Sequence, residues 1–211
     1  NKALLQRNSL LKADVEPEEE LMLVWEEMMA ASGETVYAKR KAFIDEFIPV
    51  FQSYYSYISQ DREQVSLSYE SHAAKGNLLE QLKEVRQRDR ILGYSTRGIH
   101  KDDLIMQLGD FPIKREGSQG QNKTYLIALK LAQFEFLKRT GSRTTPIVLL
   151  DASRVEQIVK LVAGDSFGQI FVTDTNRDHL DKILRKIEGD YRLFEVDGGV
   201  VSERCNEEEE I

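Results

Sequence analysis

Gly117-Ser118-Gln119-Gly120-Gln121-Asn122-Lys123-Thr124, running at once into the apolar stretch Tyr125 to Lys138, decides how this chain is read. A small, donor-rich loop meets a helix N-terminus. The first amides of a helix have no partner within it, and the macrodipole puts partial positive charge at that end, so the junction can hold an anion. Gly117 and Gly120 let backbone come close to a ligand. Ser118 offers a hydroxyl, and Gln119 and Gln121 offer amides. The competing reading is a polar loop with a good helix start. Four residues do not choose between the two, so the surrounding sequence must.

Of 211 residues, 41% are hydrophobic and 31% charged, a globular composition with material for a core. No run of 18 apolar residues occurs, so no membrane span is expected. The opening Asn1-Lys2-Ala3-Leu4-Leu5-Gln6-Arg7 has neither an initiator Met nor the apolar run of a signal peptide. The natural start is therefore expected upstream. A single cysteine, Cys205, has no internal disulfide partner and points to a reducing cytoplasm. The net charge is −7, but Glu16, Glu18 to Glu20 and Glu207 to Glu210 concentrate the acid. The remainder is near neutral, which neither supports nor excludes DNA.

Upstream of the loop the pattern is helical. Residues 17–31 carry Leu21, Val24, Trp25, Met28 and Met29 at one-face spacing, with Pro17 at the start and Ser32-Gly33 as a stop. That stripe reads as core, with a partner-binding face as the alternative. A second helix is expected from Glu34 to Ser59, with Val36, Arg40, Phe43, Phe47, Val50, Tyr54 and Ile58 along one side and a kink at Pro49. Its aromatic residues fall at helical spacing, which favours packing over base stacking. Gln64 to Ser71 alternates as a half-buried strand, and Asn77 to Ile91 reads as a third helix.

At Gly93 the character changes. Gly109-Asp110 is a two-residue turn between Leu104 to Leu108 and Phe111 to Lys114. Tyr125 to Ala132 is apolar almost all round, so that helix is expected to be buried. Thr145 to Leu150 and Gln169 to Thr173 are apolar runs expected of neighbouring strands in a parallel sheet, with helices over 151–163 and 177–188. Tyr191 to Val196, Asp197-Gly198-Gly199 and Val200 onward predict a terminal hairpin. The fold class is α/β. A helical lobe over 1–92 precedes an α/β lobe over 93–211.

In this order the chain resembles the RecF family, ABC/SMC-type ATPases that bind DNA. Asn1 to Lys12 is similar to the family's entry into its helical lobe, and Val24-Trp25-Glu26-Glu27 to its first lobe helix. Gly98-Ile99-His100-Lys101-Asp102-Asp103-Leu104 is similar to the family's Gly-Pro-His-Arg-Asp-Asp-Leu, departing at Ile99 and Lys101. Gly117 to Thr124 matches its signature run.

The resemblance implies that Ser118, Gln119, Gly120 and Gln121 close over the γ-phosphate of ATP held by a partner chain. It makes Asp151 the D-loop aspartate and Thr173, Asp174 and Thr175 switch-region candidates. His100, Lys101, Asp102 and Asp103 form a junction motif, read either as a hydrogen-bonded join between lobes or as a DNA or nucleotide contact. No G-x-x-x-x-G-K-[ST] phosphate loop occurs, and the acidic pair that should follow Leu150 is absent, which leaves the catalytic acids unassigned. Both are expected in residues this chain lacks, the pair between Leu150 and Asp151, so that the two should stand apart in space.

For the whole protein the resemblance implies ATP and Mg²⁺, an ATP-dependent homodimer, duplex DNA near single-strand gaps, and RecR and RecO as partners in loading recombinase. The part in hand would bind no cofactor alone. The alternatives are the head of another SMC-like ATPase of the RecN kind, disfavoured by the lack of sustained heptads, and a non-enzymatic helical interaction module. His72, His100 and His179 are too scattered to predict a metal site.

Overall fold

The computed structural model describes residues 2–141, 147–151, 169–184 and 191–204. The chain forms two compact units, Asn1–Phe136 and Leu137–Ile211. The division expected near residue 92 is displaced because a strand from before it pairs with one from after it. β1 (Val65–Glu70) and β2 (Asp103–Leu108) are antiparallel, with Val65 opposite Leu108 and Glu70 opposite Asp103. The Gly109-Asp110 turn, with Gly109 at φ 55, leads into β3 (Phe111–Pro112). Residues 113 and 114 leave the expected strand for the short helix α5 (Ile113–Glu116).

The spine of the first unit is α2 (Glu19–Ser59), one helix of 41 residues where two were expected. Ser32-Gly33 does not stop it. Gly33 is buried, and a Cβ there would lie 2.6 Å from Leu78 Cδ2, so its missing side chain admits α3 (Leu78–Glu84) rather than ending a helix. Met29, Ala30, Leu78 and Leu82 make that contact. The buried face of α2 also differs from the expected one. It carries Met22, Glu26, Met29, Ala30 and Gly33, then Ile44, Phe47, Phe51, Tyr55 and Ile58. Phe51 and Tyr55 pack on Tyr125, with ring centroids 4.7 and 5.9 Å away, so these aromatics serve the core.

The third expected helix breaks at Val85 (φ −94, ψ 4) into α3 and α4 (Arg86–Leu92). Asn77 caps its start by accepting from the Glu80 amide at 3.1 Å. In addition, α1 (Lys2–Leu11) forms over a stretch whose spacing predicted no element. It brings in Arg7, which is fully buried beside the equally buried Glu26 and Asp89. Arg7 donates Nε to Glu26 (3.1 Å), Nη1 to Asp89 (2.6 Å) and Ser95 Oγ (2.7 Å), and Nη2 to the Leu82 carbonyl (3.1 Å). Arg86 closes on Glu26 from the surface side, Nη2 to Oε2 at 2.6 Å. Thr96 donates its amide and hydroxyl to the other Asp89 oxygen. Each buried carboxylate thus meets cations and donors, as burial of charge requires.

α6 (Gln119–Arg139) starts six positions before the expected Tyr125. It is not buried all round: Thr124, Tyr125, Ala128, Leu131 and Ala132 face inward while Leu126 is 54% exposed.

In the second unit β4 (Val148–Asp151) and β5 (Ile170–Thr173) are parallel, as the apolar runs predict. Leu150 lies opposite Val172 and Asp151 opposite Thr173 as successive rungs, so the expected spatial separation of Leu150 from Asp151 is not found. α7 (Arg177–Leu184) follows, and β6 (Leu193–Asp197) and β7 (Val200–Arg204) form the terminal hairpin. The helix expected over 151–163 lies beyond Asp151 outside the described residues, as does 185–188.

Removing the central cation should be costly. Arg7→Ala takes from the buried Asp89 the cation it pairs with and leaves Glu26 to Arg86, and removing one partner of a buried ion pair typically costs about 3–5 kcal/mol. Urea unfolding of the chain should show a loss of that size. A loss below about 1 kcal/mol, the range of an exposed ion pair, would contradict the network's role.

Candidate functional site

Ser118 is the N-cap of α6. Its Oγ accepts the Gln121 amide at 3.2 Å, and Gln121 Oε1 accepts the Ser118 amide at 2.7 Å. This is a reciprocal capping box, the arrangement that Ser-x-x-Gln encodes. Asn122 folds back, donating Nδ2 to the carbonyls of Gly117 (2.8 Å) and Ser118 (3.1 Å). Gly117 is held so tightly that a Cβ would lie 2.5 Å from the Ile113 carbonyl. The far end of Gln121 donates to Glu63 Oε1 at 2.7 Å, and Tyr55 of α2 donates to the other Glu63 oxygen at 2.6 Å. Tyr125 donates its hydroxyl to the Ser66 carbonyl at 2.9 Å, and burial holds its acidity far below that of a free phenol.

The loop is therefore a fixed helix start, tied to α2 through Glu63 and to β1 through Tyr125. Because Ser118 Oγ is an acceptor in the box, its own proton stays available to donate. The amides of Gln119 and Gly120 belong to the first turn, whose N–H groups have no carbonyl within the helix. Exposed donors at the positive end of a 21-residue helix are suited to an oxyanion.

The junction motif occupies a different corner of the same unit. His100 Nε2 lies 3.0 Å from the Ser95 carbonyl, which can only accept, so the proton sits on Nε2. Burial is the main cause that lowers the His100 pKa. Gly98, at φ +128, packs against that ring, where a Cβ would be 2.9 Å from Nδ1. Lys101 Nζ sits 5.3 Å above the centre of the Tyr94 ring. Asp102 Oδ2 accepts from Arg40 of α2 at 2.8 Å and from Tyr69 of β1 at 2.5 Å. The bond to Asp102 raises the Arg40 pKa. Burial first, then Asp102, raises that of Tyr69. Asp102 Oδ1 is buried with no hydrogen-bond partner among the described residues. Asp103 turns locally, accepting the Leu104 amide. The motif thus joins α2, β1 and the turn before β2.

The remaining candidates belong to the second unit. Asp151 and Thr173 end neighbouring parallel strands, the edge where open α/β sheets bind ligands. Asp174 accepts the Asn176 amide at 2.9 Å, and Thr175 is exposed in the same turn. Among the described residues no group of three or more His, Cys, Asp or Glu is placed to hold a metal. This donor set does not make a Mg²⁺ site by itself. No described helix is long and apolar enough to cross a membrane. The buried Arg7 network went unpredicted, since nothing near Arg7 in sequence marks it.

No family model matches the chain. It is 72% identical to the DNA replication and repair protein RecF of Phocaeicola vulgatus, across 97% of this chain and 57% of that protein. The RecF of Bacteroides thetaiotaomicron is 69% identical over 96% of the chain, and that of Porphyromonas gingivalis ATCC 33277 is 49% identical over 95%. The chain spans little more than half the length of each. Among solved structures, that of the recombination mediator RecF with ATPrS in the RecFOR pathway superposes with a TM-score of 0.74 at 23% identity, over 97% of this chain and 57% of that one. That likeness establishes a shared fold.

His100, whose pKa is lowered chiefly by desolvation of its ring, makes stability depend on pH. Its pKa is lower folded than the ordinary 6.5, so below 6.5 the unfolded chain binds the extra proton and stability falls with pH until the folded value is passed. The urea midpoint should therefore drop from pH 7.5 to 5.5. In His100→Gln it should drop less. Equal drops would show that His100 does not supply the dependence.

Proposed function

We propose that this chain, which belongs to the RecF family by its match to curated RecF proteins over 97% of its length, is the signature-loop part of an ATP-gated, DNA-binding mediator of recombinational repair. The observation that carries the reading is the fixed helix start at Ser118, where the capping box uses the Ser118 hydroxyl as an acceptor only and Ser118 and Gln119 are exposed. Such donors act well on charge that arrives already oriented, because no reorganisation is needed.

In the proposed mechanism two protomers sandwich two ATP molecules. Each nucleotide lies between the phosphate loop of one protomer and Ser118, Gln119, Gly120 and Gln121 of the other. This chain contains no phosphate-loop motif, so its part is to meet a γ-phosphate in trans. Closure holds duplex DNA beside a single-strand gap, with RecR and RecO as partners, and slow hydrolysis reopens the clamp.

Asp151, the last residue of β4, takes the D-loop role. Thr173 to Thr175, at the next strand tip, take the switch role.

Placed at the aligned position of the full-length Phocaeicola vulgatus relative, Ser118→Arg should leave nucleotide binding within about threefold of normal. It should abolish ATP-dependent dimerisation. Losing two charge-assisted hydrogen bonds, at about 1.5–3 kcal/mol each, weakens the closed dimer by about 100-fold or more. Size-exclusion with a non-hydrolysable ATP analogue, beside a nucleotide titration, separates these outcomes. Normal dimerisation of the variant would reduce Ser118 to a helix cap.

A further inference from the structure

We propose that the N-terminal half of α2 is a docking face for a basic amphipathic helix of another protein. Four apolar side chains recur there at i, i+3, i+4 and i+7: Leu21, Val24, Trp25 and Met28. The core-facing residues of the same turns are Met22, Glu26, Met29 and Ala30. The stripe is therefore turned away from the core, and Leu21, Val24 and Met28 stand 44%, 49% and 47% exposed. Apolar residues scattered singly on a surface need no explanation, but a contiguous helical stripe does.

Its border names the occupant. Glu20, Glu27 and Glu34 are all exposed and recur every seventh residue, so they line one edge of the stripe over two heptads. With Leu21 and Met28 as a positions and Val24 as d, these glutamates fall at g, the positions whose charges choose a coiled-coil partner. A helix with an apolar seam and Lys or Arg beside it satisfies both features. A second copy of this chain packed antiparallel would set glutamate against glutamate, and the same row repels nucleic acid phosphate. Glu16 and Glu18, exposed just before the helix, extend the acidic border. The face has nothing to do with the loop at Ser118, and the proposal stands whether or not that loop meets a nucleotide.

The single tryptophan of the chain lies in the stripe, so its fluorescence reports occupancy directly. The probe is a synthetic 21-residue helix with Leu at a and d and Lys at e and g. Its control carries Glu in place of Lys. The Lys peptide should shift Trp25 emission to the blue and saturate. Met28→Glu should weaken its binding at least tenfold, and the Glu20→Lys, Glu27→Lys double variant should do the same. Both changes are on exposed positions, and an unchanged urea midpoint confirms that the fold is intact.

Three results would overturn the proposal. The Lys peptide leaves Trp25 unmoved or binds no better than the Glu peptide. The chain dimerises through the stripe, shown by a dimer that Met28→Glu dissolves. Or labelled Lys peptide binds this chain but not the full-length Phocaeicola vulgatus relative, which would mean that the face is covered within the whole protein.

Discussion

Arg7 is the constraint on which the first unit depends. A fully buried guanidinium must have every neighbour arranged before it can be buried at all. Here the arrangement draws on α1 for the cation, α2 for Glu26, α4 for Asp89, α3 for a carbonyl and the turn at Ser95 for a hydroxyl. Asn8, next to Arg7, accepts both the Ser95 amide and its hydroxyl. The Ser95 carbonyl in turn fixes the His100 ring, two residues before Asp102. One buried cation thus specifies how five segments meet, and its reach ends at the join between α2 and the sheet.

The same spine carries that order to the loop. A helix of 41 residues is about 60 Å long. Its first half is locked by the Arg7 network and the Gly33–Leu78 contact, and its last turns hold Tyr55, which bonds Glu63, which bonds Gln121. The capping box and the anion-facing role do not compete. The box uses an acceptor of Ser118 and sets the backbone, and it leaves the hydroxyl proton of this exposed residue uncommitted within the box. A loop that had to order itself on binding would lose part of its contact energy to entropy. This one is ordered already.

What was legible in the sequence was local. Ser-x-x-Gln before an apolar run marks a helix start, Gly109-Asp110 marks a hairpin, and two uninterrupted apolar runs mark paired parallel strands, as β4 and β5 are. What was not legible depends on distant contacts. Gly33 is both a stop signal and a packing site, and only Leu78, far along the chain, decides which. The apolar stripe at Leu21 to Met28 has the period of a core face. Yet the core selects the neighbouring face, because Glu26 is drawn inward to Arg7 and Arg86. Arg7 itself has partners 19, 82 and 88 residues away, a relation that no short pattern encodes. Asp151 stands in a strand where a loop was expected, since β4 runs through Leu150 without a break.

The central claim is that Ser118 and its helix start act on a nucleotide held by another protomer. Subunit mixing of the full-length Phocaeicola vulgatus relative tests it most directly. One stock carries Arg at the position of Ser118, and the other carries an inactivating change in its phosphate loop. Each is inactive alone. If the loop works in trans, mixed dimers contain one intact composite site, and ATP turnover should reappear on mixing at up to about a quarter of the normal rate, since half the dimers are mixed with one site each. If the loop serves the nucleotide of its own chain, every site in every mixed dimer lacks one element, and no turnover returns.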